Sequence, residues 1–314
     1  MAGFGLAVCV FLICHEDVSQ LQAQLGRLTG WVLIAMLLEL LRVLAELLST
    51  RAVLGMYFER VPFATWLRSQ LLCCGLSMLM PAGRAVGEAA KAGVLSSVVP
   101  AGVAAATGAA GQIMTLLTNG CFGVLAALFA LQLRDGGGFA LVCLAYGGAF
   151  LLLGVTLASA VRSQAMALRL SRIKLIGGWS RTLLEAARHT HGVGLRALSP
   201  LLVSRALQVL QFALLLFGLA HARPFADAPI VQAIYTLGAA AGDLMPAQLG
   251  TVDAALALGH TLLDMSQTNL VVLALALHVV QVSVACACCL GAAALSQSFG
   301  RRLGSSPRRQ LWEI

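Results

Sequence analysis

The feature that most constrains this chain is its division into long apolar runs, at residues 31–57, 63–80, 98–133, 138–161, 197–220, 230–245 and 270–296. A helix needs about 20 predominantly apolar residues to cross a hydrocarbon core about 30 Å thick, and most of these runs reach or approach that length. None shows the two-residue alternation of a membrane barrel. The expected fold is all-α: a polytopic transmembrane helix bundle of about seven or eight helices. With 59% hydrophobic and 11% charged residues over 314 positions, lipid must be the main solvent of this chain. Disorder and a disulfide scaffold need compositions that it lacks.

The net charge of +8 would prompt a search for a nucleic-acid face in a soluble protein, but the placement of the cations matters more. Arg162, Arg169, Arg172, Lys174, Arg181, Arg188 and Arg196 fall in one stretch with a single acid, Glu185, and Arg301, Arg302, Arg308 and Arg309 fall in the tail. Cations flank spans on the cytoplasmic side, so both segments are expected in the cytoplasm near anionic headgroups. No basic stretch is interleaved with aromatics, and no nucleic-acid partner is expected. The chain thus divides into a first membrane repeat at 1–161, a basic cytoplasmic interfacial loop at 162–196, a second membrane repeat at 197–296 and a basic cytoplasmic tail at 297–314. Residues 1–14 read as a short first span.

The nine cysteines lie mostly within apolar runs and read as small core or lipid-facing residues. Cys286, Cys288 and Cys289 have no nearby His, Asp or Glu, and a helix turns 286 and 288 to different faces, so no metal or other cofactor is expected. His189 and His191 sit in the basic loop as solvated side chains. His260 and His278 read as hydrogen-bonded core residues or proton relays.

Comparison of the halves reveals a duplication. Arg42 and Arg205 are 163 residues apart, as are Gly55 and Gly218; Pro62 precedes Pro224 by 162 and Pro81 precedes Pro246 by 165. The last pair shares a Leu-Met-Pro context, with Glu88 and Asp253 each seven residues beyond its proline. Pro81–Gly93 and Pro246–His260 are short and broken by Pro and Gly, which predicts paired re-entrant or interrupted helices of the kind that surround a midplane binding site. The loop at 51–61 carries Arg51 and Arg60 against a lone Arg223 beside Asp227 at 221–229, which favours an inverted repeat.

Within this frame the charges inside apolar runs are the candidates for chemistry. Glu39, Arg42 and Glu46 fall at i, i+3 and i+7 on one helix face, either as a self-neutralising ladder or as a grip on a polar headgroup. Arg205 has no acid within a helical turn and looks to Asp243, Asp253 or Glu88; an unpaired guanidinium fork suits a phosphate. Arg84, Glu88 and Lys91 share a face at i, i+4 and i+7 behind Pro81 and Gly83, at a helix start whose free N–H groups suit a lipid phosphate. The alternative is a solvated turn at the membrane surface. In the second half Asp243, Pro246, Gln248, Gly250 and Asp253 carry no cation, so the two dips present opposite charge and together suit a zwitterionic headgroup or a proton-linked step. No G-x-S-x-G, H-E-x-x-H or Walker loop is present, and the chain is expected not to be an enzyme.

Met80-Pro81-Ala82-Gly83-Arg84 with Gly87-Glu88, and Met245-Pro246-Ala247-Gln248-Leu249-Gly250 with Asp253, resemble the P-x-R-x-G-E and P-G-G-L-G-x-x-E segments of the lysylphosphatidylglycerol synthase transmembrane region family. These flippase-like membrane proteins include hopanoid-biosynthesis-associated members. Gln248 stands where a glycine is usual and Asp253 where a glutamate is usual. The resemblance implies lipid translocation or handling in a bacterial inner membrane. Aminoacyl-transferring members carry a large soluble catalytic domain after the membrane part; here the sequence ends at Ile314, so that activity is expected to be lacking.

The expected function is therefore movement of a phospholipid or lipid-linked intermediate. Arg42, Arg84, Lys91 and Arg205 would hold the phosphate, and Glu39, Glu88, Asp243 and Asp253 would hold the cationic part or take protons. The alternative is a non-transporting scaffold or accessory subunit of a lipid-synthesis enzyme, docking through the 162–196 loop.

Overall fold

The computed structural model describes residues 18–133, 136–163 and 194–304. The short first run at 1–14, most of the basic loop with His189 and His191, and the tail from 305 lie outside the described residues. Among the described residues are ten α-helices and no strand: α1 (Val18–Leu54), α2 (Phe63–Leu79), α3 (Gly83–Leu95), α4 (Ala101–Ala130), α5 (Gly137–Arg162), α6 (Leu195–Gly218), α7 (Pro224–Ala241), α8 (Thr251–Leu258), α9 (His260–Leu263) and α10 (Gln267–Gly304). The count exceeds the expected seven or eight because the stretch from Pro246 holds two short helices and the one behind Pro81 holds α3. By length and composition, four segments can cross a membrane: Ala101–Ala130, Gly137–Val161, Leu195–Gly218 and Gln267–Ser296.

Local chemistry sets the breaks. Gly55 adopts φ 53°, a left-handed conformation that ends α1 and opens a tight turn over Gly55–Arg60. Pro62, Pro100 and Pro224 stand at or just before helix starts, where a missing N–H costs nothing. The order long helix, short helix, proline turn, short helix, long helix then occurs twice, first as α1 to α4 and again as α6 to α10.

Helices α1 and α6 run antiparallel. Trp31 meets Phe217 edge to face with ring centroids 5.3 Å apart, and Ser49 at the other end donates to the Ala197 carbonyl at 2.7 Å. Two helical hairpins enter this frame from opposite ends. The α2–α3 hairpin has its open end against the C-terminal part of α1, where Leu47, Leu54, Val61, Trp66, Leu95 and Val99 share one apolar cluster. The α7–α8 hairpin has its open end at the other side, where Ala228, Ile230 and Leu263 share a cluster with Leu28 and Leu219. There Asp227, in the first turn of α7, accepts from Arg223 at 3.2 Å and pairs with His221 Nε2 at 2.6 Å.

The tips meet: the Ala82 N–H donates to the Asp243 carbonyl at 2.7 Å. Both tips are built from left-handed backbone, at Ala82 (φ 50°) in the first and at Ala247 (φ 52°), Gln248 (φ 55°) and Gly250 (φ 84°) in the second. Only glycine adopts such angles freely, and other residues lose about 1–2 kcal/mol there. Replacing Gln248 by glycine should therefore raise the thermal midpoint of the purified protein, by the equivalent of about 1 kcal/mol; an unchanged or lowered midpoint would show that its side chain carries more than that strain.

Candidate functional site

Polar and charged side chains from α1, α2, α3, α4 and α6 converge behind the first tip. On α1, Arg42 donates to Glu39 at 2.6 Å, one turn apart, with both groups buried. Glu46 lies one turn further along that face and accepts from Gln70 of α2 at 3.2 Å. The hydroxyl of Thr50 in turn donates to Gln70 Oε1 at 3.3 Å. Across from Glu46, Arg84 at the start of α3 places Nη1 4.0 Å from its carboxylate and donates through Nη2 to Thr115 of α4. Gln112 donates to the Arg84 carbonyl at 3.1 Å, which ties the tip to α4.

Glu88 and Lys91 form a second pair at 2.6 Å, both almost fully buried. Alpha-helix α4 makes room for them with small residues: a Cβ added to Gly111 would lie 2.8 Å from the Glu88 carboxylate. Gly83 and Gly87 do the same for α3 against α2, where an added Cβ would lie 2.1 Å from Ser77 in each case. A tight cavity of about 10 Å³, enough for one water centre, is lined by Glu46, Gln70, Arg84, Glu88, Lys91 and Thr107 among others.

Arg205 reaches this cluster from α6. Its side chain donates to Gln208 Oε1 at 2.7 Å, and the charges around it are those of Arg42, Arg84 and Glu46. The carboxylate beside it is Glu46 and not the expected Asp243, Asp253 or Glu88, because the antiparallel packing of α1 and α6 sets Arg205 level with Arg42, one turn from Glu46. Gln208 Oε1 also accepts from Gln232 of α7 at 3.1 Å, and Tyr235 of α7 accepts from Gln281 of α10 at 2.7 Å.

The second dip contributes differently from the expectation. Asp253 turns away from the cluster to His278 of α10, whose Nε2 lies 3.0 Å from both carboxylate oxygens, and it accepts from the Gly250 N–H at 2.8 Å as the cap of α8. The second half thus has a cationic partner of its own when this imidazole is protonated, supplied from 25 residues downstream. Asp243 is exposed, and its backbone carbonyl, not its side chain, engages the first tip. Pro81 is exposed, Gly83 and Gly87 are buried between α3 and α2, and Pro246, Gln248 and Gly250 form the second turn. Gln70, Thr115, Gln208, Gln232, Tyr235 and Gln281, none of them a candidate from the sequence, are part of the network.

The cluster therefore holds four cations, Arg42, Arg84, Lys91 and Arg205, against three carboxylates, Glu39, Glu46 and Glu88, an excess of one positive charge; Glu39, Arg42, Glu88 and Lys91 are buried, and Arg84, Arg205 and Glu46 are half-buried. In a low-dielectric interior such an imbalance is costly unless an anion compensates it. Among the described residues no group of three His, Cys, Asp or Glu side chains is placed to hold a metal, and Cys286 is exposed whereas Cys288 is buried. Compared with known proteins, the chain matches the family model described as "Lysylphosphatidylglycerol synthase TM region" over residues 1–288. No curated protein and no solved structure matches it.

Proposed function

This chain belongs to the lysylphosphatidylglycerol synthase TM region family, a multi-pass membrane protein of a lipid-handling family, and on that premise we propose that it is a flippase-like translocator of phospholipids or lipid-linked intermediates. It works without catalysis, in a bacterial inner membrane. The observation that carries the reading is the excess positive charge gathered behind the first hairpin tip, since a guanidinium cluster of that kind suits one phosphodiester. The hairpins act as re-entrant elements of an inverted repeat, supported by their entry from opposite ends of α1 and α6. The end bearing Arg51, Arg60 and Arg196 faces the cytoplasm by the positive-inside rule. In the conformation described, the cavity beside the cluster has room for one water, so a headgroup enters when α1, α3 and α6 part.

Arg84 faces Glu46, Glu88 and the cavity together. Purified protein in liposomes should accelerate exchange of labelled phospholipid between leaflets, and Arg84→Ala should slow it by about tenfold or more, the loss of one charge-assisted phosphate contact. Equal exchange with and without protein would reject translocation. One observation favours a second reading, an accessory subunit of a lipid-synthesis enzyme: the pairs Glu39–Arg42 and Glu88–Lys91 satisfy each other without a ligand. In that case neutralising Arg169, Arg172, Lys174 and Arg181 should abolish function in cells while Arg84→Ala leaves it intact.

A further inference from the structure

We propose that the groove between the C-terminal end of α1 and the start of α6 is the landing site where an anionic glycerophospholipid docks before its headgroup moves inward. The inference rests on the translocation reading and adds the place of entry and the charge of the cargo. The groove has a volume of about 630 Å³, the size of a site for a small amphiphile. Its floor is apolar, from Ala52 and Phe58, and its rim carries two guanidinium groups, Arg51 and Arg196, and one carboxylate, Glu59.

Four features point to a lipid with a phosphodiester. The rim has a net charge of +1, which complements the single negative charge of such a lipid. The Arg51 guanidinium is stacked over the Phe58 ring, 4.9 Å from its centroid, which holds it at the rim and leaves its edge free for the phosphate oxygens. Leu48 and Leu195, 50% and 78% exposed, extend the groove outward as an apolar flank on which an acyl chain can lie.

The fourth feature is what stands behind the groove. Ser49, next to Leu48, lines the inner cavity with Glu46 and Arg84, whereas Ala197 lines the groove. The Ser49 hydroxyl donates to the Ala197 carbonyl at 2.7 Å. One hydrogen bond across the α1–α6 contact is thus shared by the wall of the groove and the wall of the charged cavity. Parting of these two helices joins the two spaces, and the phosphate passes from Arg51 and Arg196 to Arg84.

The experiment measures binding and movement separately on the full chain. Spin-labelled phosphatidylglycerol and phosphatidylcholine are titrated into protein held in phosphatidylcholine nanodiscs, and leaflet exchange is followed in liposomes. The Arg51→Gln/Arg196→Gln variant should bind phosphatidylglycerol about tenfold more weakly or worse, with phosphatidylcholine contact unchanged as the measure of an intact fold. Arg51→Lys/Arg196→Lys, which keeps charge without the fork, should fall between. Millimolar inorganic phosphate should not displace the lipid, because the apolar flank contributes to holding it.

Wild-type affinity in the Gln variant overturns the groove, as does displacement by free phosphate. If exchange depends on Arg84 but is unchanged in the Gln variant, the groove fails and translocation stands. If binding depends on the two arginines while no protein-dependent exchange occurs, the landing site stands and translocation fails.

Discussion

Replacing Lys91 by methionine is expected to destabilise the folded protein by about 3–5 kcal/mol, the effect of stripping one partner from a buried ion pair. Lys91 and Glu88 are 4% and 6% exposed and 2.6 Å apart. Once the ammonium is gone, the carboxylate faces Gly111 of α4, whose lack of a side chain leaves no donor there. Arg84 is the remaining cation near it, and that guanidinium is already committed to Glu46 and Thr115. The double variant Glu88→Gln/Lys91→Met should recover most of the loss, since two neutral groups of similar volume carry no stranded charge. Thermal unfolding in detergent, followed by tryptophan fluorescence, distinguishes these outcomes. A Lys91→Met protein as stable as the wild type would mean that the pair opens to water. The recovered double variant has a further use: if it folds yet moves no lipid, the pair serves transport as well as packing.

The second large effect is expected at Gly83, where even one methyl group is too much. A Cβ there would sit 2.1 Å from the Ser77 carbonyl oxygen and 2.8 Å from its carbon, and backbone cannot turn aside as a side-chain end can. At Gly87 the obstacle is partly the Ser77 hydroxyl, but the Cys73 carbonyl oxygen also lies 2.5 Å from the added atom. Gly83→Ala should therefore push α3 off α2, at a cost of about 3 kcal/mol or more, at the upper end of overpacking losses. The displacement also carries Arg84 away from Thr115. Gly93→Ala on the same helix meets nothing within 4 Å and should be neutral or stabilising, by up to about 1 kcal/mol of helix propensity. Comparing the midpoints of the two variants separates close packing from helix propensity; equal stability of both would refute the close-packing account.

The sequence made the helical frame and the two dips legible because their causes are local. Run length sets the long helices, and Pro81, Pro246 and the acids seven residues beyond them mark the tips. Partners across the fold were not legible. Asp253 finds its imidazole 25 positions away and Gln211 finds the Ala35 carbonyl 176 positions away, and nothing local encodes which helices are neighbours. For the same reason, nothing around Arg205 in the sequence points to Glu46 of α1 as the carboxylate beside it. One local signal does foretell the polar network: Ser204, Gln208 and Gln211 at i, i+4 and i+7 in an apolar run form a stripe that lipid would reject. All three are buried.

The contact between Ala82 and Asp243 joins main chain to main chain. Its strength owes nothing to which side chains occupy the two apices, so substitution can retune the chemistry on either arm while the yoke between them persists. Through it, a tug on one lever is passed to the lever hung from the opposite end of the bundle.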